Sequence, residues 1–221
     1  MFNDFYHAFY YGSLILAACI SILLYLRLET AFKWLAILII LTLTSELVAK
    51  YISSGLKRPN NSIYHFFTLI EYYFYYKIYS YFFISKKANR MLGFSFLFLL
   101  LAEIINIVFF QPLHIANTNS IIIESIFLIC ISLAMFNKIR ESMQYQHLLK
   151  EGIFWFNSAV LIYYSISFLI WGFHSIRVYE MKNPPLVIYS LNLFFSALLY
   201  LFYSFSLFEN FFTKRKTTGQ A

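Results

Sequence analysis

Seven apolar runs of about twenty residues divide this chain from end to end, near 8–26, 31–51, 63–84, 91–110, 118–137, 153–173 and 186–208. A helix needs about 20 apolar residues to cross the hydrocarbon core of a bilayer. No water satisfies the backbone there, so each run must close its own hydrogen bonds as an α-helix. The runs take up most of the 221 residues, and only 12% of the chain is charged, against about 25% in soluble domains. The expected fold is an all-α membrane protein, one bundle of seven transmembrane helices with little outside the bilayer. Turn chemistry falls between the runs, at Ser53-Ser54-Gly55, Pro59-Asn60-Asn61, Gln111-Pro112 and Asn183-Pro184-Pro185. The start, MFNDFYHAFYYG, carries Asp4 and no basic stretch. The first run is therefore expected to remain as a helix and not to be cleaved as a signal peptide.

The net charge of +7 raises nucleic acid as a partner. The basic residues are scattered among short loops, which excludes that reading and leaves the lipid bilayer as the main partner. Their distribution also sets an orientation. With the N-terminus outside, the inner segments hold Arg27, Lys33, Lys86, Lys87, Arg90, Lys138, Arg140, Lys150, Lys214, Arg215 and Lys216, and the outer ones Lys50, Lys57, Arg58, Arg177 and Lys182. Positive charge favours the cytoplasmic side, so the expected topology is N-out, C-in. Lys77 lies near the inner end of the third run, where it can snorkel. The longest inner loop, about Asn137 to Glu151 with His147, is expected to be a helix extension lying on the anionic leaflet, where it offers a docking surface. Cys19 and Cys130 fall mid-helix and carry no disulfide signal. Aromatic content of 22% goes with the Ile, Asn and Lys abundance of an AT-rich genome.

Four glutamates interrupt the runs: Glu46, Glu71, Glu103 and Glu124, one on each of four consecutive helices. Each costs roughly 2–3 kcal/mol or more if it faces lipid unpaired. At 1.5 Å per residue all four fall in the same outer third of an alternating bundle, within roughly 5 Å of one depth. Polar stripes accompany them at helical spacing. They are Tyr64, Thr68, Glu71 and Tyr75 on the third helix, Glu103 and Asn106 on the fourth, and Asn117, Ser120 and Glu124 on the fifth. On the sixth come Asn157, Tyr164 and Trp171, and on the seventh Tyr189, Asn192, Ser196, Tyr200 and Tyr203. His65 lies one residue off its stripe, at the expected mouth. These residues predict an outward-facing acidic pocket for a small molecule or cation, built from Glu46, Glu71, Glu103, Glu124, Asn106, Asn192 and His65.

Other readings compete with the pocket. Glu46 and Lys50 are an i,i+4 pair in the favourable order, and any one glutamate can serve as interhelical glue. Converging carboxyls in low dielectric cannot all be ionised, so some hold a proton or a cation sits among them. His65 with carboxylates is a set able to ligate a metal, but no metal-spacing motif supports one. Cofactors are not indicated: GxSxG, HExxH, P-loop and GxGxxG patterns are absent. A hydrolase of the ceramidase–adiponectin-receptor type needs several intramembrane histidines, whereas His7, His114, His147 and His174 fall at loops or ends. A retinal protein needs a lysine in the seventh helix, and none is there. A short repeat sets Lys57-Arg58-Pro59 and Ile63-Tyr64 against Lys182-Asn183-Pro184 and Ile188-Tyr189 at one common offset. It suits a three-plus-one-plus-three sugar-transporter plan, whose PQ-type motifs are absent.

Several segments resemble a group of uncharacterised bacterial seven-helix integral membrane proteins. They are Tyr64-His65-x-Phe67-Thr68-x-Ile70-Glu71-Tyr72, Glu124 after an Asn-containing turn, Phe154-Trp155-Phe156-Asn157-Ser158 with Leu161-Ile162-Tyr163-Tyr164-Ser165, and Asn192. That resemblance implies the bacterial inner membrane, a signalling role with a cytoplasmic or membrane partner, and weight on Glu71, Glu124, Asn157 and Asn192. The expected function is a sensory or regulatory module. The alternatives are a proton- or cation-coupled transporter and a membrane-embedded enzyme acting on lipid.

Overall fold

A computed structural model describes residues 2–142, 145–178 and 186–218. Seven α-helices follow one another: α1 (Phe2–Leu24), α2 (Thr30–Lys50), α3 (Asn61–Phe82), α4 (Lys86–Ile105), α5 (Thr118–Ser142), α6 (Gly152–Val178) and α7 (Leu186–Thr218). The last turns of α2 and α4 widen into π-helix at Tyr51–Gly55 and Asn106–Phe110. Among the described residues, six helices are long and apolar enough to cross a membrane, which makes this a multi-pass membrane protein. The exception is α3, where Tyr-Tyr-Phe-Tyr-Tyr, His65, Glu71 and Lys77 lower the hydropathy. Its 22 residues are still long enough to span, at about 1.5 Å each.

Large apolar side chains cover the outside, among them Ile22, Leu23, Leu47, Val48, Phe66, Phe94, Leu101 and Phe109. A water-soluble protein does not carry such a surface; lipid is the solvent it fits. Hydroxyls inside the helices satisfy themselves on the carbonyl one turn back, as Ser21 does on Ala17 at 2.8 Å and Thr42 on Leu38 at 2.9 Å.

Neighbour relations close six helices into a ring in the order α1, α2, α3, α5, α6, α7, with α7 returning to α1. The remaining helix, α4, packs outside the ring against α3 and α5 and is the least buried candidate span. One end of the ring is tightly bound. Lys138 donates to the Phe82 carbonyl, Ser206 donates to that of Gly152 at 2.7 Å, and the Glu29 amide donates to Asn210 Oδ1 at 3.1 Å. Gly152 is required there, since a Cβ would stand 2.6 Å from the Ser206 carbonyl and 3.0 Å from the Phe32 ring. The segment from about Asn137 to Glu151, expected as a helix extension, is largely helical where it is described. Helix α5 runs on to Ser142, and a 3₁₀ turn at Tyr145–Lys150 leads straight into α6. The Asn183-Pro184-Pro185 turn and Lys182 lie outside the described residues, as do the side chains of Arg177, His147 and Lys214 to Lys216.

Candidate functional site

The other half of the ring encloses a cavity of about 360 Å³, at the small end of the range for small-molecule sites. Every ring helix contributes to it and α4 does not. The walls are His7, Tyr10 and Tyr11 on α1, Thr42 and Glu46 on α2, and Asn61, Tyr64, Phe67, Thr68 and Glu71 on α3. They continue with Ile121 and Glu124 on α5, Tyr163, Tyr164 and Trp171 on α6, and Tyr189, Asn192, Leu193, Ser196 and Tyr200 on α7. Asn60, Ala116 and Asn117 come from the connecting loops. All these positions lie toward the starts of odd helices and the ends of even ones, so the cavity occupies one half of the bundle's depth.

Three of the four glutamates meet in this cavity. The hydroxyls of Tyr10 and Tyr11 reach the Glu46 carboxyl. Lys50, its candidate helix partner, stands instead over the Tyr11 ring, with Nζ 5.0 Å from the centroid. Tyr75 and Tyr164 flank Glu71, though the Tyr164 hydroxyl closes no well-aligned hydrogen bond among the described residues. Glu124 is 2% exposed, its Oε1 has no hydrogen-bond partner there, and its charged neighbours are Glu71 and Glu103. No lysine or arginine among the described residues lines the cavity. Lys77 is held away from it by the rings of Trp34, Tyr73 and Tyr76, 5.4 to 6.0 Å from Nζ.

Glu103, Asn106 and His65 turn away from the cavity, because α4 lies outside the ring. Glu103 Oε1 is 2.6 Å from His65 Nδ1, and both side chains are wholly buried between α3 and α4. His65 Nε2 lies 3.0 Å from the Ile115 carbonyl. A carbonyl only accepts, so Nε2 carries a proton, and one further proton is shared between Nδ1 and Glu103. His65 is thus a wholly buried clasp and not a residue at the mouth. Asn106 is spent on a second clasp. Its amide donates to Gln111 Oε1 at 3.2 Å and Ser120 Oγ at 3.1 Å, and Asn119 donates to its Oδ1 at 3.0 Å. These contacts, with Asn61 donating to the His114 carbonyl at 2.8 Å and Asn117 to Thr68 Oγ1 at 2.8 Å, fix the α4–α5 loop onto α3. The loop then forms part of the cavity wall.

Below Glu71 the bundle is closed by tyrosines. The hydroxyls of Tyr75 and Tyr203 are 2.6 Å apart, and Phe156 packs on the rings of Tyr75, Tyr79 and Tyr203. Tyr79 donates to Asn157 Oδ1 at 2.8 Å, so Ser132, 2.9 Å away, donates to Tyr79. Asn157 Nδ2 donates to the Ser132 carbonyl at 3.0 Å. Asn157 therefore belongs to this floor and not to the cavity.

Sequence reasoning missed the wall tyrosines Tyr10, Tyr11 and Tyr163, and Thr42. A usable signal existed for Thr42, one turn before Glu46. The short repeat noted above acquires a geometric meaning. Tyr64, Phe67, Thr68 and Glu71 on α3 and Tyr189, Asn192, Leu193 and Ser196 on α7 are the same four helical positions, 125 residues apart, and both sets line the cavity. Glu46 and Trp171, on α2 and α6, share that offset.

Compared with known protein families, with curated proteins and with solved structures, the chain matches none. No family is identified, and what stands is a multi-helix membrane protein enclosing an acidic, tyrosine-walled cavity.

Proposed function

We propose that the protein is a membrane-embedded sensory or regulatory module that binds a small molecule or cation in this cavity. The carrying observation is three carboxyls lining one cavity inside a closed ring, with no lysine or arginine of the described residues in its wall and His7 its one imidazole. Such crowding is a poor way to hold helices together, since Gln or Ser would serve with less penalty. Helix α3, set in the ring between α2 and α5, crosses as the seventh span. On the Lys/Arg asymmetry the proposed topology is N-terminus outside and C-terminus inside, so the cavity faces outward; the bacterial inner membrane is what the resemblance implies. The tyrosine floor then separates ligand from cytoplasm, as a receptor requires. The three Ser and Thr hydroxyls of the wall, on Thr42, Thr68 and Ser196, donate to the Leu38, Tyr64 and Asn192 carbonyls at 2.9, 2.9 and 2.8 Å, which speaks for binding over nucleophilic chemistry.

A transporter is the second reading, favoured by the offset of 125 residues between the α3 and α7 walls. A cavity between related helix triplets is the usual place for a transported substrate. Reconstitution into proteoliposomes separates the two. A compound that raises the thermal stability of the wild-type chain, but not of Glu71→Gln or Glu124→Gln, is expected to stay outside the vesicles. Uptake of that compound moves the assignment to transport. Equal stabilisation of both variants removes the cavity from the account.

A further inference from the structure

We infer that the cavity's ligand is a small organic ammonium ion, a reading that rests on the binding function proposed above. The carboxyls of Glu46, Glu71 and Glu124 bring acidic character to a wall that holds no lysine or arginine among the described residues, His7 being its one imidazole. Of the five buried side-chain polar atoms without a hydrogen-bond partner among the described residues, three belong to the cavity wall: Glu124 Oε1, Asn192 Oδ1 and the Tyr164 hydroxyl. The carboxylate and amide oxygens accept hydrogen bonds, so what satisfies them must donate. A ligand with N–H groups does this and also meets the carboxyl charge.

The walls argue for an organic cation over a metal ion. No three His, Cys, Asp or Glu side chains among the described residues come close enough to hold a metal, and the volume of about 360 Å³ far exceeds a bare ion. Seven tyrosines and Trp171 line it. Aromatic faces attract ammonium groups, most strongly where water is excluded, and they pack the carbon skeleton attached to the nitrogen. An anion would meet three carboxyls, and a neutral molecule would require them to hold protons, whereas a cation stabilises them ionised.

An ammonium group reaches such a site either on a free amine or on a phosphatidylethanolamine headgroup, and the test distinguishes them. The full chain is placed in nanodiscs of phosphatidylglycerol alone and titrated with n-butylammonium, the neutral alcohol 1-pentanol of similar size, valerate, and Mg²⁺, Ca²⁺ or Zn²⁺. Thermal stability and Trp fluorescence are read together. n-Butylammonium is expected to raise the midpoint and the others not to. Glu124→Gln weakens its affinity by about 10-fold or more, the worth of one charge-assisted hydrogen bond. Glu141→Gln, at the opposite end of the molecule, leaves it unchanged. Repeating the titration in phosphatidylethanolamine-containing discs locates the source: an undiminished response assigns a free amine, and a competed response assigns the headgroup. Binding of pentanol or valerate in place of the ammonium overturns the inference while keeping the cavity as a ligand site. A response to divalent ions alone overturns it in favour of a metal. If none of the probes binds in either disc, both the inference and the acidic-cavity reading fall.

Discussion

Removing the His65 imidazole should damage the fold far more than neutralising its acidic partner. His65 and Glu103 are 0% and 1% exposed and 2.6 Å apart. His65→Ala deletes that bond and the one to the Ile115 carbonyl, leaving a buried carboxyl and a part-buried carbonyl without donors. Each such orphan costs about 1–3 kcal/mol, and breaking a buried pair from one side costs about 3–5 kcal/mol. The expected loss is therefore about 3–5 kcal/mol. Glu103→Gln behaves differently. With Nε2–H committed to Ile115, Nδ1 is free to accept, and the new amide can donate to it. That variant should lose about 1 kcal/mol or less. Equilibrium unfolding in mixed micelles, followed by Trp fluorescence, measures both. The Ala/Ala double variant should lose about 2 kcal/mol less than the two single Ala variants together, because they share one interaction. If Glu103→Gln costs as much as His65→Ala, the pair depends on a fixed ion pair and the shared-proton reasoning is refuted.

Other expectations use the same structure. Glu71→Gln and Glu124→Gln should express and melt nearly normally while losing ligand response; misfolding of both, with residual protein fully responsive, would make these glutamates structural. Gly152→Ala should destabilise by about 1–3 kcal/mol through overpacking, whereas Gly172→Ala, with nothing within 4 Å of the new Cβ, should be neutral or stabilising in the same unfolding assay. Tyr203→Phe strands the Tyr75 hydroxyl and should cost about 1 kcal/mol, with no further loss on adding Tyr75→Phe. A cysteine placed after Lys216 should resist impermeant label applied outside intact cells; ready labelling there would reverse the proposed topology.

The helices were legible in the sequence because length and apolarity dictate them in lipid. That Glu46, Glu71 and Glu124 can meet was legible for a similar reason: helical rise converts residue number into position along the bundle. Which way each glutamate faces was not, because facing depends on which helices close the ring. Nothing in the apolar run of α4 says that it stands outside. Glu103 and Asn106 share the cavity's depth but not its axis. The His65–Glu103 clasp joins residues 38 apart on separate helices, beyond any local pattern. The one hint was His65 lying off the Tyr64–Thr68–Glu71 stripe, and a residue off a stripe faces a different neighbour. Tyr10 and Tyr11 escaped notice because aromatic residues near a chain start read as interfacial, whereas α1 begins at Phe2 and carries them into the wall.

The account rests on a cavity that is acidic and opens at one face, and substituted-cysteine chemistry tests both properties together. Ser196→Cys, in a chain with Cys19 and Cys130 replaced by alanine, puts a thiol on the α7 wall. Reaction rates are compared for a trimethylammonium methanethiosulfonate and its sulfonate counterpart, applied separately to each face of oriented proteoliposomes. The account predicts reaction only from the face carrying the start of α3, with the cationic reagent faster by about tenfold or more, the enrichment a charged cleft produces. Equal rates for the two reagents, or labelling from the face carrying the start of α2, would contradict it.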